Sequence, residues 1–251
     1  LLTIPLVAAL GTCDTTDQSM AAGAPGRRCA VPIWLEMQRM SISKRLMDVM
    51  LSSLLIVVLS PVALMIAGVI KLSDGGDVFY IAERLRAVNV PFQFWKFRTM
   101  KQDEVEAVLS GGHTAGRVTR VGRFLRRTRL DELPQLINIL RGDISFVGPR
   151  PPLRCYVEMC PDVYGEVLKT RPGVTGLATL AYHRREEALL APCHTAEEAE
   201  AIYVRSCIPA KARLDLIYAR EQSLCYDVQL MVATVFKRVP LRAPRGRFSS
   251  R

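Results

Sequence analysis

The chain has 251 residues, 49% of them hydrophobic, and a net charge of +10, enough for one sizeable domain or two small ones. Such a charge calls for an anionic partner, and a positive mean hydropathy beside 23% charged residues fits one lipid-embedded segment joined to a charged remainder. Seven cysteines without a C-x-x-C pair, and only three histidines, exclude a zinc-ligand spacing and leave reduced structural thiols as the expectation.

Residues 1–36 show neither a helical nor a strand period, and the stretch before Cys13 has no basic n-region. They are expected to be disordered or an upstream extension, with translation starting at Met37 or Met40. From Val49 to Ile70 run 22 residues without a charge, enough for a straight helix to cross a bilayer core. Ser60-Pro61 lies near the middle, where the proline removes the backbone bond to Val57. Both flanks are basic, Lys44 and Arg45 before and Lys71, Arg84 and Arg86 after, which places both ends on the cytoplasmic side. The expectation is a broken, re-entrant helix whose arms, each about 17 Å long, reach the bilayer middle. An ordinary kinked transmembrane helix is the alternative.

Residues 73–77 are a turn, and 78–86 and 91–100 read as two aromatic-rich strands of a hairpin. Lys96 and Arg98 alternate with aromatic residues on the second strand and form a candidate phosphate-binding wall. Residues 101–116 carry an acidic helical piece and a flexible loop with an exposed His113. Residues 117–151 are the richest stretch. Six arginines (Arg117, Arg120, Arg123, Arg126, Arg127, Arg129) precede the adjacent acids Asp131 and Glu132, followed by Gly148-Pro149-Arg150-Pro151. Guanidiniums bind phosphate oxygens bidentately, one carboxylate can attack phosphorus, and the other can hold a divalent metal. Thr128 or Asp131 is expected to cap a new helix with Pro134 in its first turn, so that the helix dipole holds the acid pair ionised. A solvated basic helix with Asp131 as a simple cap stays open on the local pattern.

Residues 179–210 read as a loop plus a surface helix, with Tyr182, His183 and Arg184 as candidate contacts to a pocket. Residues 208–239 show helical spacing in two pieces that either lie on the membrane surface or close the core. The tail, 241–251, is basic and expected to be disordered.

Taken together, SKRLMDVMLSS, the Ser60-Pro61 break, KFRTM, TRVGRFLRRTRLDELPQLINILRGDISFVGPRP and RPGVTGLA resemble the bacterial sugar transferase family, over residues 42 to 238. These are monotopic polyprenyl-phosphate phosphoglycosyl transferases that initiate surface glycan assembly. The resemblance implies an α-rich α+β fold: a re-entrant membrane helix (37–72) and a small cytoplasmic catalytic domain (73–240) with a β-hairpin and interfacial amphipathic helices. It implies that Asp131 attacks the β-phosphate of a nucleotide diphosphate sugar, most often a UDP-sugar, releases UMP, and passes the sugar phosphate to undecaprenyl phosphate. Glu132 assists through Mg²⁺, with Asp131 as a second metal ligand, and Lys96, Arg98, Arg126 and Arg150 hold phosphates. Ser60, Pro61, Pro149 and Pro151 are structural.

The implied partners are a nucleotide-sugar donor, undecaprenyl phosphate and membrane lipid at the bacterial inner membrane, with a homodimer allowed and nucleic acid excluded. The chain departs from the family pattern at Glu83, at Ala87 and Asn89 in the hairpin turn, and in LATLAYHRREEALLA after RPGVTG. A catalytically silent scaffold and a UDP-releasing glycosyltransferase are the rival readings.

Overall fold

The computed structural model describes residues 40–100, 118–193 and 195–236. The expected features of residues 1–36, His113 with its acidic helix, and the basic tail lie outside the described residues.

The uncharged segment forms one helix, α1 (Ile42–Asp74), of 33 residues, about 50 Å long at 1.5 Å per residue. It ends at Gly75, whose left-handed φ of 67° lets its N–H reach the Lys71 carbonyl at 3.0 Å. The expected break is not seen as an interruption, because the helix continues through Pro61. The physical reason lies one residue earlier. Pro61 has no N–H to give the Val57 carbonyl, and the Ser60 hydroxyl donates to that carbonyl instead, at 2.8 Å.

Both ends of α1 pack on the rest of the chain. In its first turns Lys44, Asp48 and Ser52 are buried at intervals of four, and Arg45 donates to the Ile139 and Leu140 carbonyls at 2.7 Å each. Near its end Ile66 and Ile70 pack with Phe97 and Leu125. Leu54, Val57, Val58, Leu64 and Met65 between them are exposed. This is the one helix long and apolar enough to cross a membrane among the described residues.

The hairpin pairs β1 (Phe79–Ala87) with β2 (Val90–Phe97), antiparallel. Asn89 sits in its turn at φ 62°, a left-handed position that asparagine tolerates better than most residues, so the turn closes without a family-type glycine. Phe92 and Phe94 pack on Ile139 and Ile144.

Next come α2 (Arg120–Thr128), a 3₁₀ turn (Leu130–Glu132) and α3 (Gln135–Arg141). A second, parallel pair joins β3 (Ser145–Val147) to β4 (Gly173–Thr175). Its three-residue strands fall below the length at which alternation is readable. Here the backbones cross at contact: a Cβ on Gly148 would lie 2.2 Å from the Arg171 carbonyl oxygen. Only glycine fits.

Two short helices, α4 (Arg154–Met159) and α5 (Pro161–Val167), separate those strands. After β4 the chain is helical: α6 (Leu177–Leu190), α7 (Ala196–Ile202), a π turn (Tyr203–Cys207), α8 (Ile208–Glu221) and α9 (Leu224–Val235). The loop expected within 179–210 is therefore largely α6 and α7. Val147, Tyr218 and Leu230 form the core beneath these helices. Four described cysteines (160, 193, 207, 225) are free. Cys155 is disulfide-bonded, which corrects the expectation of reduced thiols at that position.

Candidate active site

The acid pair is placed by an unusual helix ending. Thr119 caps α2, its hydroxyl accepting from the Gly122 N–H at 2.8 Å. Gly122 lies so close to β2's exit that a Cβ there would meet the Thr99 carbonyl oxygen at 2.1 Å. The helix stops at Arg129, in the left-handed region at φ 60°, a conformation that costs a non-glycine residue about 1 kcal/mol. The reversal sends Leu130 into the apolar cluster around Ile70 and Phe97 and leaves Asp131 and Glu132 on the 3₁₀ turn.

This corrects the expected cap. The helix after the pair begins at Gln135 behind Pro134, with no side-chain cap, and the Thr128 hydroxyl donates back to Phe124 at 2.9 Å. Cations rather than a helix dipole set the charge. Glu132 Oε1 accepts from Lys96 Nζ at 3.1 Å and from Arg150 at 3.2 Å, and Oε2 lies 3.9 Å from Arg129. Burial would raise the Glu132 carboxyl, but Arg150 and Lys96 hold it below the usual carboxylate range.

Asp131 is buried and, among the described residues, has no ion pair. Burial pushes its carboxyl up, opposed by Lys96 and raised further by Glu132. The two neighbours thus differ in kind: one acid is clamped, the other left open.

The supports come from distant parts of the chain. Asn138 on α3 receives the Trp95 N–H at 3.2 Å and donates to the Gln93 carbonyl at 2.7 Å, fixing the part of β2 that carries Lys96. Phe94 lies under the Lys96 ammonium at 5.4 Å. Arg150 follows the buried Pro149, whose carbonyl accepts from Gly173 at 2.8 Å. The Val147 carbonyl just before it accepts from Lys44 at 2.8 Å, with the Tyr218 hydroxyl oxygen 3.1 Å away. Arg126 bonds the Thr99 hydroxyl at 2.9 Å, and its charge reaches Asp131. Arg98 lines a separate small recess with Ile70, Thr119 and Val121.

A cavity of about 570 Å³ opens beside the pair, with Arg129, Arg150 and Pro151 in its wall. Opposite elements add Arg84, Tyr156, Tyr164, Tyr203, Lys211 and Asp215, none of which was singled out as a site residue in the sequence. Of the three candidates on α6, His183 lines the cavity, whereas Tyr182 is buried with its hydroxyl toward Ser206 at 3.5 Å. Arg84 is half-buried over Phe94 at 6.0 Å and has no acid partner among the described residues. A signal for Asp215 did exist: α8 buries Ala212, Asp215 and Tyr218 on one stripe, and a carboxyl there breaks the apolar pattern.

No cluster of three or more metal-ligating side chains occurs among the described residues. Two adjacent carboxylates still suit magnesium, which takes one or two protein carboxylates and completes its shell with substrate phosphates and water.

The bacterial sugar transferase family model matches residues 39–240. The UDP-glucose:undecaprenyl-phosphate glucose-1-phosphate transferase of Escherichia coli K12 is 38% identical over 198 residues, 77% of this chain and 39% of that protein. The enzyme of the same name in Caulobacter vibrioides is 36% identical over 197 residues, 76% of this chain and 68% of that protein. The exopolysaccharide production protein ExoY of Sinorhizobium fredii is 40% identical over 152 residues, 54% of this chain and 67% of that protein. The chain thus spans about two fifths of the length of the Escherichia coli relative.

Proposed function

The chain belongs to the bacterial sugar transferase family, and from that premise we propose that it moves a sugar 1-phosphate from a UDP-sugar to undecaprenyl phosphate. The observation that carries this reading is the open Asp131 beside the clamped Glu132. A nucleophile must keep a lone pair free, and an unpaired carboxylate flanked by Lys96 and Arg126 does so while facing an anion.

The donor's diphosphate lies against Arg84, Arg129 and Arg150. Asp131 attacks the β-phosphorus, and the bond from that phosphorus to the bridging oxygen breaks, so UMP leaves with that oxygen. The sugar phosphate remains on Asp131 as an acyl phosphate. An oxygen of undecaprenyl phosphate then attacks the same phosphorus and frees the Asp131 carboxylate. Glu132 holds Lys96 and Arg150 in position through both steps. A magnesium ion held by Asp131 and Glu132 would screen the diphosphate charge.

The second substrate resides in a bilayer, and α1 suits that task. Its exposed middle is apolar, and its two ends pack on one domain, which favours both flanks lying on the same, cytoplasmic, face of the inner membrane. This supports a helix that enters and returns. Tags placed at residues 42 and 240 should both be reached from the cytoplasm. Periplasmic exposure of the downstream tag alone would sink re-entry.

The deciding experiment incubates detergent-purified protein with UDP-glucose or UDP-N-acetylgalactosamine, Mg²⁺ and undecaprenyl phosphate. UMP release is expected. UDP would mean that the glycosidic bond breaks instead, and no nucleotide from any UDP-sugar would point to a silent scaffold.

A further inference from the structure

The α8 side of the cavity holds a carboxyl group that the reaction above leaves idle. Asp215 is 8% exposed, lines the cavity, and its Oδ1 has no hydrogen-bond partner. Neither of its oxygens makes a hydrogen bond or ion pair among the described residues. The nearest cation does not close on it: Lys211 is engaged by both oxygens of Glu186, at 3.2 Å each, and by the Tyr203 hydroxyl at 3.3 Å. A buried carboxyl without a partner costs stability, and a site that retains one beside an accessible cavity is built for a group arriving from outside.

The chemistry of the walls limits what that group is. Arg84, Arg129 and Arg150 share the wall with three tyrosines (156, 164 and 203) and Asp215. Arg84 interacts with Arg150, Tyr156 and Tyr203, and Tyr164 with Tyr156, Tyr203 and Asp215, so the surfaces run from the arginines through the tyrosines to Asp215. A ligand with an anionic end and hydrogen-bond donors at its far end fits this sequence of surfaces. A carboxylate held ionised by its ligand is acceptor-only, so a far end that brings hydroxyls or N–H groups satisfies it. A pyranose carries several hydroxyls within reach of one carboxylate, more than the ribose diol and single uracil N–H of the nucleoside. The sugar also stays on the enzyme after the nucleotide departs, and so needs a receptor that serves both half-reactions.

We propose that Asp215 is the receptor for hydroxyl groups of the donor's sugar, and that the cavity between the arginines and α8 is the sugar-binding site. The assignment rests on the phosphoglycosyl-transfer reading given above.

The test compares wild type with Asp215→Asn and Asp215→Ala in the full chain. KM and kcat are measured with UDP-glucose and UDP-N-acetylgalactosamine, together with inhibition by UMP, binding of both donors and UMP by calorimetry, and thermal melting. Losing a hydrogen bond to a charged group should raise the KM and weaken the binding of the preferred donor by roughly 10- to 100-fold, while the UMP inhibition constant stays within about twofold. Asparagine, which keeps one acceptor, should lie between wild type and alanine.

Equal weakening of UMP and donor would place Asp215 on the nucleoside and overturn the assignment. So would unchanged donor binding, or a fall in melting temperature with no preference for donor over UMP. Failure of wild type to release UMP would overturn the reaction reading instead, and calorimetry of donor against UMP would still decide Asp215.

Discussion

Two buried sets of charges in this protein are treated in opposite ways. Where α1 meets the C-terminal helices, Lys44 lies 2.9 Å from Asp227 and donates to Tyr218 at 2.6 Å, and Tyr218 donates to Asp227 at 2.7 Å. These three side chains are mutually bonded. In and beside the cavity, Asp131 has no ion pair, and Arg84 Nε and Asp215 Oδ1 have no hydrogen-bond partner, among the described residues. Closed networks hold elements together, whereas open charges mark where a ligand completes the set. The sharpest attack on this division is Asp131→Asn. It should lower UMP release by at least about a thousandfold and leave the melting temperature within a degree or two, because no partner is orphaned. Retained activity would return Asp131 to the status of an ordinary turn acid.

The opposite signature is expected from the closed set. Lys44→Met leaves Asp227 charged in the core and should destabilise the protein by about 3–5 kcal/mol. Activity per folded molecule should change far less than in Asp131→Asn. A denaturation series with turnover measured on the folded fraction separates the two. Loss of turnover without loss of stability would mean that Lys44 acts on the site through the Val147 carbonyl, and the division would fail.

Asp215 sharpens the comparison through pH. Burial lifts its carboxyl to about 7, only partly opposed by Lys211, whereas an unfolded aspartate titrates near ~4. Between those values the native state binds more protons than the unfolded state, so this group's stabilising contribution is complete below about pH 4 and is lost as pH rises toward 7. The groups facing it shift away from that window: burial raises Tyr164 and Cys160, and Lys211 is raised by Tyr203 and Glu186 against its own burial. Wild type should therefore lose stability relative to Asp215→Asn between about pH 4 and 7, by up to about 1.4 kcal/mol per pH unit crossed, and the two curves should run parallel above that window. Parallel curves for the two proteins inside the window would show that Asp215 has a partner in solution.

How far the sequence carried the site follows from the range of its contacts. Asp131, Glu132, Lys96 and Arg150 were legible because two motifs hold them and their charges are conspicuous. The hairpin and the C-terminal helices were legible from alternation and helical spacing. Tyr156, Tyr164, Tyr203 and Asp215 reach the cavity from α4, α5, the π turn and α8, and no local pattern joins four such elements. The acid pair lies outside the first turn of α3 because Arg129 adopts a left-handed conformation and turns the chain before α3 begins. Continuity through Pro61 was missed because proline's lost bond is visible in a sequence, while a serine hydroxyl taking its place is a matter of rotamer.

The smallest expected effect concerns Glu83, the hairpin residue that departs from the family pattern. It is about two-fifths exposed and pairs with Arg154 at 2.8 Å, outside the cavity lining. An exposed pair of this kind contributes roughly 0–1 kcal/mol, and its partner on α4 follows Leu153, which does line the cavity. Glu83→Gln should thus alter stability by less than about 1 kcal/mol and the donor KM by less than about threefold. The pair is closed and at the surface, so it belongs with the charges that hold elements together. A tenfold change in KM, or a switch of preferred sugar, would show that the Glu83–Arg154 contact shapes the cavity through α4. The line between closed and open charges would then have to be redrawn to include a surface pair that selects the substrate.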